Sequence, residues 1–276
     1  MHSIPETDHA VDNSELARMQ RMLERCAGLT QAIGKLPAVA TPDWCDRASQ
    51  SLAGVFPHAD VAVVLADMGD SGRVKDVLSI GAAASRGGQL RRDEALDLRV
   101  RVEGLTGLHW SPDGTRIPAT GEVASRVFAR LELQQTSHAS SWYVPAAGSL
   151  IATAALLDGS TRTRKLLSYV IVPETAEQSL ESMMVVRLGT VLLAKLAAIA
   201  IGTGSEPVQW LTHREQEVLD LLVLGNSVKE ISETLGRSPH TIHDHVKSLH
   251  RKLNANSRGE LVAKALGHIP MMHGNG

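Results

Sequence analysis

Residues 210–265 read WLTHREQEVLDLLVLGNSVKEISETLGRSPHTIHDHVKSLHRKLNANSRGELVAKA. Thr212 precedes Glu215 by three positions, the spacing of a capping box, in which a hydroxyl and a carboxylate satisfy each other's orphan amides. Val218, Leu221 and Leu222, with flanking Leu219 and Leu224, then follow at helical spacing, and Gly225 offers a left-handed stop. Ser227 and Glu230 repeat the box and open a short helix whose inward pair is Ile231 and Leu235. Gly236 ends it. Ser238 caps a third helix with Pro239 at its first position, where a missing amide costs nothing. Two helices therefore meet across Gly236-Arg237-Ser238, and a short connection containing glycine predicts a helix-turn-helix.

The third helix is predicted over residues 239–253. Ile242, Val246, Leu249 and Leu253 form one apolar seam, while His240, Thr241, His243, Asp244, Lys247, Ser248 and Arg251 occupy the opposite face. A major groove accepts an exposed helix face of hydrogen-bonding groups of this kind. Between residues 237 and 264 lie six cations (Arg237, Lys247, Arg251, Lys252, Arg258, Lys264) against the acids Asp244 and Glu260. The preceding half is acidic, so charge is polarised toward the recognition side. A last helix over about residues 258–266 completes a four-helix, all-α unit.

These segments, LTHREQEVL, GNSVKEIS, LGRSPHTIHDHVKSLHRKL and NSRGELV, resemble the LuxR/NarL/FixJ-type helix-turn-helix of bacterial transcription regulators. The resemblance covers about the last quarter of the chain. It implies that His243, Asp244 and Lys247 face bases, and that Lys229, Ser238, Thr241 and Arg251 meet phosphates of double-stranded DNA. The chain departs from the family's habit at His240, where Lys or Arg is usual, and at His243, where Lys is frequent. Asp244 places an acid on the groove face, which repels phosphate and can accept from a cytosine amine. Protonation of His240 and His243 near phosphates would strengthen binding at low pH.

The whole chain has 276 residues, 43% hydrophobic and 21% charged, with a formal net charge of −2, so it is globular and any DNA contact must rest on a local patch. Cys26 and Cys45 are too few for a disulfide framework and fall in apolar helical patterns, as small hydrophobes do in a reducing compartment. The amino terminus has no charged start followed by an apolar run, so a cytoplasmic location is expected. Arg187 and Lys195 interrupt the apolar region at 183–202, which argues against a membrane span.

The rest reads as a second domain. Residues 1–40 give a tail and an amphipathic helix over 14–34. Residues 41–201 form an α+β domain, 202–209 a linker, and 210–270 the helix-turn-helix domain. Thr41-Pro42-Asp43 opens a helix expected to reach Phe56. Two apolar runs, at 60–68 and 74–84, read as a hairpin, as do those at 150–157 and 165–172. Residues 98–105 alternate as a strand does, and Val123, Val127 and Leu131 predict a helix over 121–133. After Pro173 a long apolar helix begins, broad enough for one face to join the core and another to meet a partner helix.

This order resembles a GAF-like sensory domain, with PAS-like as a near relation. That implies an antiparallel sheet with helices, room for a small-molecule ligand, and homodimerisation through flanking helices. A phosphorylated receiver is disfavoured, since no βα alternation appears, and Trp44, Trp110, Trp142 and Tyr143 do not match an acyl-homoserine-lactone sensor. No phosphate loop, nucleophile elbow or zinc-ligand cluster is present in the sequence, so neither an enzyme nor a cofactor is expected. His240 and His243 lack partners at metal-ligand spacing. Trp142 and Tyr143 fit packing better than a pocket wall, and Arg86, Arg91 and Arg92 a solvated loop better than an anion site. The expected function is sequence-specific DNA-binding regulation of transcription. The alternatives are an adaptor that uses the helix-turn-helix as a docking surface and an enzyme hidden in residues 41–200.

Overall fold

The computed structural model describes residues 13–68, 74–84, 123–129, 148–157, 164–173, 179–202 and 207–268. The expected strand at 98–105, the residues Arg86, Arg91, Arg92, Trp110, Trp142 and Tyr143, the tail at 1–12 and most of the linker lie outside them. The elements are α1 (Asn13–Ile33), α2 (Trp44–Ala53), β1 (Asp60–Met68), β2 (Val74–Ala84), β3 (Val123–Ala129), β4 (Ser149–Leu156), β5 (Arg164–Val172), α3 (Leu180–Ile201), α4 (His213–Val223), α5 (Val228–Leu235), α6 (Pro239–Lys252) and α7 (Arg258–Ala265).

The strands form one antiparallel sheet in the order β2-β1-β5-β4-β3. Both expected hairpins are present, as β1–β2 and β4–β5, and β1 pairs with β5 to join them. The helix expected at 121–133 is instead strand β3. Val123 and Val127 stand four apart, which fits period two as well as period 3.6, and pairing with β4 from Val123↔Ala155 to Ala129↔Ser149 decides between them. Helix α2 ends at Ala53 with Gly54 as its cap, one turn short of the Phe56 expected from the pattern.

One face of the sheet carries the core. Val61, Val63 and Leu65 of β1, Ile151 and Ala155 of β4, and Leu166 and Val170 of β5 pack against Leu29, Trp44, Leu52, Val186, Leu193 and Ala197 of the helices. Two glycines set the distances. A side chain at Gly81 would collide with the backbone of Cys45 and Asp46, so α2 lies directly on β2; one at Gly189 would strike Leu52, so α3 lies close over α1 and α2. Helix α3 has the length and apolarity of a membrane span, yet half of its most apolar window is buried in this core. Thr153, Thr190 and Ser168 satisfy one another within that interface, with Thr153 and Thr190 Oγ1 2.7 Å apart. Cys45 is buried and Cys26 packs at the edge, both as free thiols.

The four carboxy-terminal helices enclose a second core of Leu211, Val218, Leu219, Leu222, Ile231, Ile242, Leu249, Leu253 and Leu261. Val39, fully buried, belongs to this cluster, although it precedes α2. The segment around it joins the two units. Ala38 N donates to Ala265 O and Leu211 N to Ala40 O. Gln216 Nε2 donates to Asp43 at 2.9 Å, and Arg47 lies between Asp43 and Asp220. Burial alone would raise the Asp43 carboxyl, but its hydrogen bonds from Gln216 and Arg47 and the charge of Arg47 help hold it below the usual range. The boundary expected between residues 40 and 41 thus falls inside a segment that touches both units.

Candidate nucleic-acid interface

Each helix end here is fixed by its own sequence. Thr212 Oγ1 accepts from Glu215 N while the Glu215 carboxylate accepts from Thr212 N at 2.7 Å. Ser227 and Glu230 repeat the arrangement. Gly236 closes α5 at φ 60°, in the left-handed region, and Ser238 caps α6 by accepting from Thr241 N. Replacing any such oxygen costs about 1 kcal/mol of helix stability.

Glu215 does more than cap. Its Oε1 accepts from Ser248 Oγ at 2.6 Å, and its Oε2 pairs with Lys252 Nζ at 2.7 Å. Lys252 also donates to Trp210 O. The start of α4 is thereby tied to two turns of α6. Burial by itself would raise the Glu215 carboxyl, but Lys252, Ser248 and Thr212 outweigh it and hold it down at about 2. Neither the 33-residue nor the 37-residue separation carries a local sequence signal.

With Ile242 and Leu249 buried, the opposite face of α6 turns outward. Lys247 is 79% exposed and Asp244 58%, with Lys247 Nζ 4.0 Å from Asp244 Oδ1 and His240 Nε2 3.7 Å from Asp244 Oδ2. His240, His243 and Arg251 are exposed beside them, as are Lys229 on α5 and Ser238 at the turn. Thr241 is half-buried and hydrogen-bonded to Ser238. Ser248 is placed differently: its hydroxyl faces α4 through Glu215 and accepts from Arg251 at 3.3 Å.

The cations counted in the sequence divide. Lys252 is committed to Glu215, Lys264 to Glu260 and Asn254 O, and Arg258 to the carbonyls of Leu222 and Asn226. Arg237, Lys247 and Arg251 stay exposed on the recognition side, joined by Lys229. Arg237, which the sequence placed only in the basic balance and not at a particular contact, lies exposed at the turn itself next to the Ser238 cap. The contacts to the amino-terminal unit run through α4, the end of α7 and Leu211, leaving α5 and the outer face of α6 unobstructed among the described residues.

A buried-core trihelical turn that presents one polar helix face, closed by a fourth helix, defines a helix-turn-helix DNA-binding domain. The chain belongs to the luxR family of bacterial regulatory proteins, whose family model matches residues 209–265. It is 45% identical over 65 residues to the transcriptional regulatory protein MctR of Rhizobium johnstonii, covering 24% of this chain and 29% of that protein. It is 38% identical over 56 residues to the spore germination protein GerE of Bacillus subtilis, covering 20% of this chain and 76% of GerE. Of the first curated relatives the chain spans only 29–34% of their length. Among solved structures, SdiA of Escherichia coli is similar at 15% identity and a TM-score of 0.34, over 92% of this chain and 98% of that one.

Proposed function

We propose that the protein is a cytoplasmic, sequence-specific DNA-binding regulator of transcription that acts as a homodimer, with residues 41–201 as its sensory and dimerisation unit. The observation that carries this is the outward face of α6, where His243, Asp244 and Lys247 are exposed beside the phosphate-binding candidates Lys229, Ser238 and Arg251, also exposed, and the half-buried Thr241. His240 sits at the leading end of that face. Helix α6 fits a major groove by size, and base edges there distinguish all four base pairs.

Dimerisation is supported by a second surface. Helices α1 and α3 run side by side in parallel, since Arg18 pairs with Glu181 and Leu29 meets Gly189. Leu16, Met19 and Leu23 of α1 and Leu180, Met184 and Leu188 of α3 are exposed on this pair. A second copy laid on this face would make a four-helix arrangement and bring two α6 helices to one duplex. Two such helices read half-sites about one helical turn apart.

Titrating the full chain against duplexes selected from a random pool tests the reading. Lys247→Ala should weaken the selected site about tenfold or more and relax its sequence preference. Lys229→Ala should weaken selected and unrelated duplexes alike and reduce the salt dependence by about one counterion. Salt-independent or absent retention of the wild-type chain would refute DNA binding and favour a docking role for the same surface.

A further inference from the structure

Asp244 is the one acid in α6, and it lies on the outward face. In a groove it meets two negatively charged strands, so an alanine or asparagine there would meet less repulsion. Four other acids of this unit have structural partners. Glu215 and Glu230 cap helices, Glu260 accepts from Asn256 N, and Asp220 faces Arg47 of the amino-terminal unit. Asp244 has no such task. Its carboxylate accepts no hydrogen bond from a described residue. It has two looser charge contacts on its own helix, Oδ1 4.0 Å from Lys247 Nζ and Oδ2 3.7 Å from His240 Nε2. Exposed ion pairs of this kind add little stability, so folding does not account for an acid at this position.

The contact with Lys247 sets a donor beside an acceptor. Side chains three residues apart share a helix face, and both of these are exposed. In the major groove a cytosine offers an amine donor, and its guanine offers the acceptors O6 and N7. The amine and O6 are hydrogen-bonded to each other across the pair and lie about 3 Å apart. A carboxylate oxygen and an ammonium 4.0 Å apart match those two groups in sign and in spacing. Adenine fits the carboxylate less well, because its amine lies beside N7, an acceptor that repels a second acceptor. Thymine and guanine offer no donor in that groove.

We propose that Asp244 and Lys247 read one C·G base pair as a unit, the carboxylate accepting from the cytosine amine and the ammonium donating to O6 and N7 of the paired guanine. The inference rests on reading α6 as groove-facing, and it adds what that helix selects, a C·G pair in each half-site. Asp244 is thereby a specificity-determining residue. Its charge lowers affinity for every duplex and restores it only where a cytosine amine is presented, which is discrimination by penalising the wrong partner.

Anisotropy titrations of the full chain test this, with a duplex selected from a random pool, its single-base-pair variants and an unrelated duplex. Wild type should require cytosine at one position of each half-site. N4-methylcytosine there, which replaces the outward amine proton and leaves the base pair in place, should weaken binding about tenfold or more. Asp244→Asn should move the preference at that position from cytosine to adenine, because an amide both accepts and donates and so suits N6 and N7. Asp244→Ala should lose discrimination there and bind the unrelated duplex at least as tightly as wild type. A uniform gain in affinity for every duplex in both variants, with each base preference unchanged, would overturn the inference and leave Asp244 a solvated acid. Wild-type tolerance of N4-methylcytosine at every half-site position would overturn it as well. Either result leaves the regulator standing if wild type still selects its duplex over the unrelated one. Absence of that selection removes the regulator reading, and this inference with it.

Discussion

Replacing Glu215 by glutamine isolates the contact that couples the first helix of the DNA-binding unit to its recognition helix. The substitution keeps shape and an acceptor for Thr212 N, and removes only charge. It leaves the Lys252 ammonium, 18% exposed, with Trp210 O and a neutral amide, and it turns the Ser248 bond into an ordinary one. A carboxyl held at about 2 instead of its usual 4.5 corresponds to about 3 kcal/mol. That agrees in size with breaking a largely buried ion pair. The assay is amide hydrogen exchange of the full chain at neutral pH, read in fragments from α6. Glu215→Gln should accelerate exchange there on the order of a hundredfold, because opening becomes about 3 kcal/mol easier. The sign with pH follows from the direction of the shift. A carboxyl depressed in the folded state stabilises fully above its ordinary value and loses that contribution as pH falls from about 4.5 to about 2. Wild type should therefore show an acid-dependent loss of α6 protection across that window that Glu215→Gln lacks. Acceleration of less than about threefold, or parallel acid profiles for the two chains, would refute the reasoning.

Three further outcomes are expected. Val39→Ala should destabilise the carboxy-terminal unit by about 2 kcal/mol, seen as faster exchange in α4 and α7 although the substitution precedes them by more than a hundred residues. Gly81→Ala should prevent α2 from seating on β2 and yield insoluble or unfolded protein by circular dichroism, whereas Gly259→Ala, in open space, should leave the melting curve in place. Wild type should bind duplex more tightly at pH 6 than at pH 8, and changing His240 and His243 together to glutamine should flatten that difference in an anisotropy titration.

The carboxy-terminal fold was legible because its instructions are local. Thr212 with Glu215, Ser227 with Glu230 and Ser238 with Pro239 act within one helical turn, and the apolar seam of α6 recurs at helical spacing, so the caps and the seam predict the observed elements closely. The two hairpins were legible for a similar reason, as apolar runs separated by short polar turns. Val123–Ala129 was not, since a valine pair four apart is compatible with two periodicities and only β4 alongside it selects the strand.

The amino-acid sequence by itself determined that a helix-turn-helix ends the chain, which face of its third helix carries donors, and that a sheet with helices precedes it. Tertiary structure decided which charges remain available. Lys252, Arg258 and Lys264 count as a basic patch in one dimension and are consumed by Glu215, Glu260 and main-chain carbonyls in three. It also decided that Val39 completes a core more than 170 residues further along, and that Arg164 of β5 is buried against Asp67 and the carbonyls that end α3. Periodicity and capping depend on neighbours within a turn. The partner of a buried charge depends on whichever distant segment folds against it, and no spacing along the chain records that.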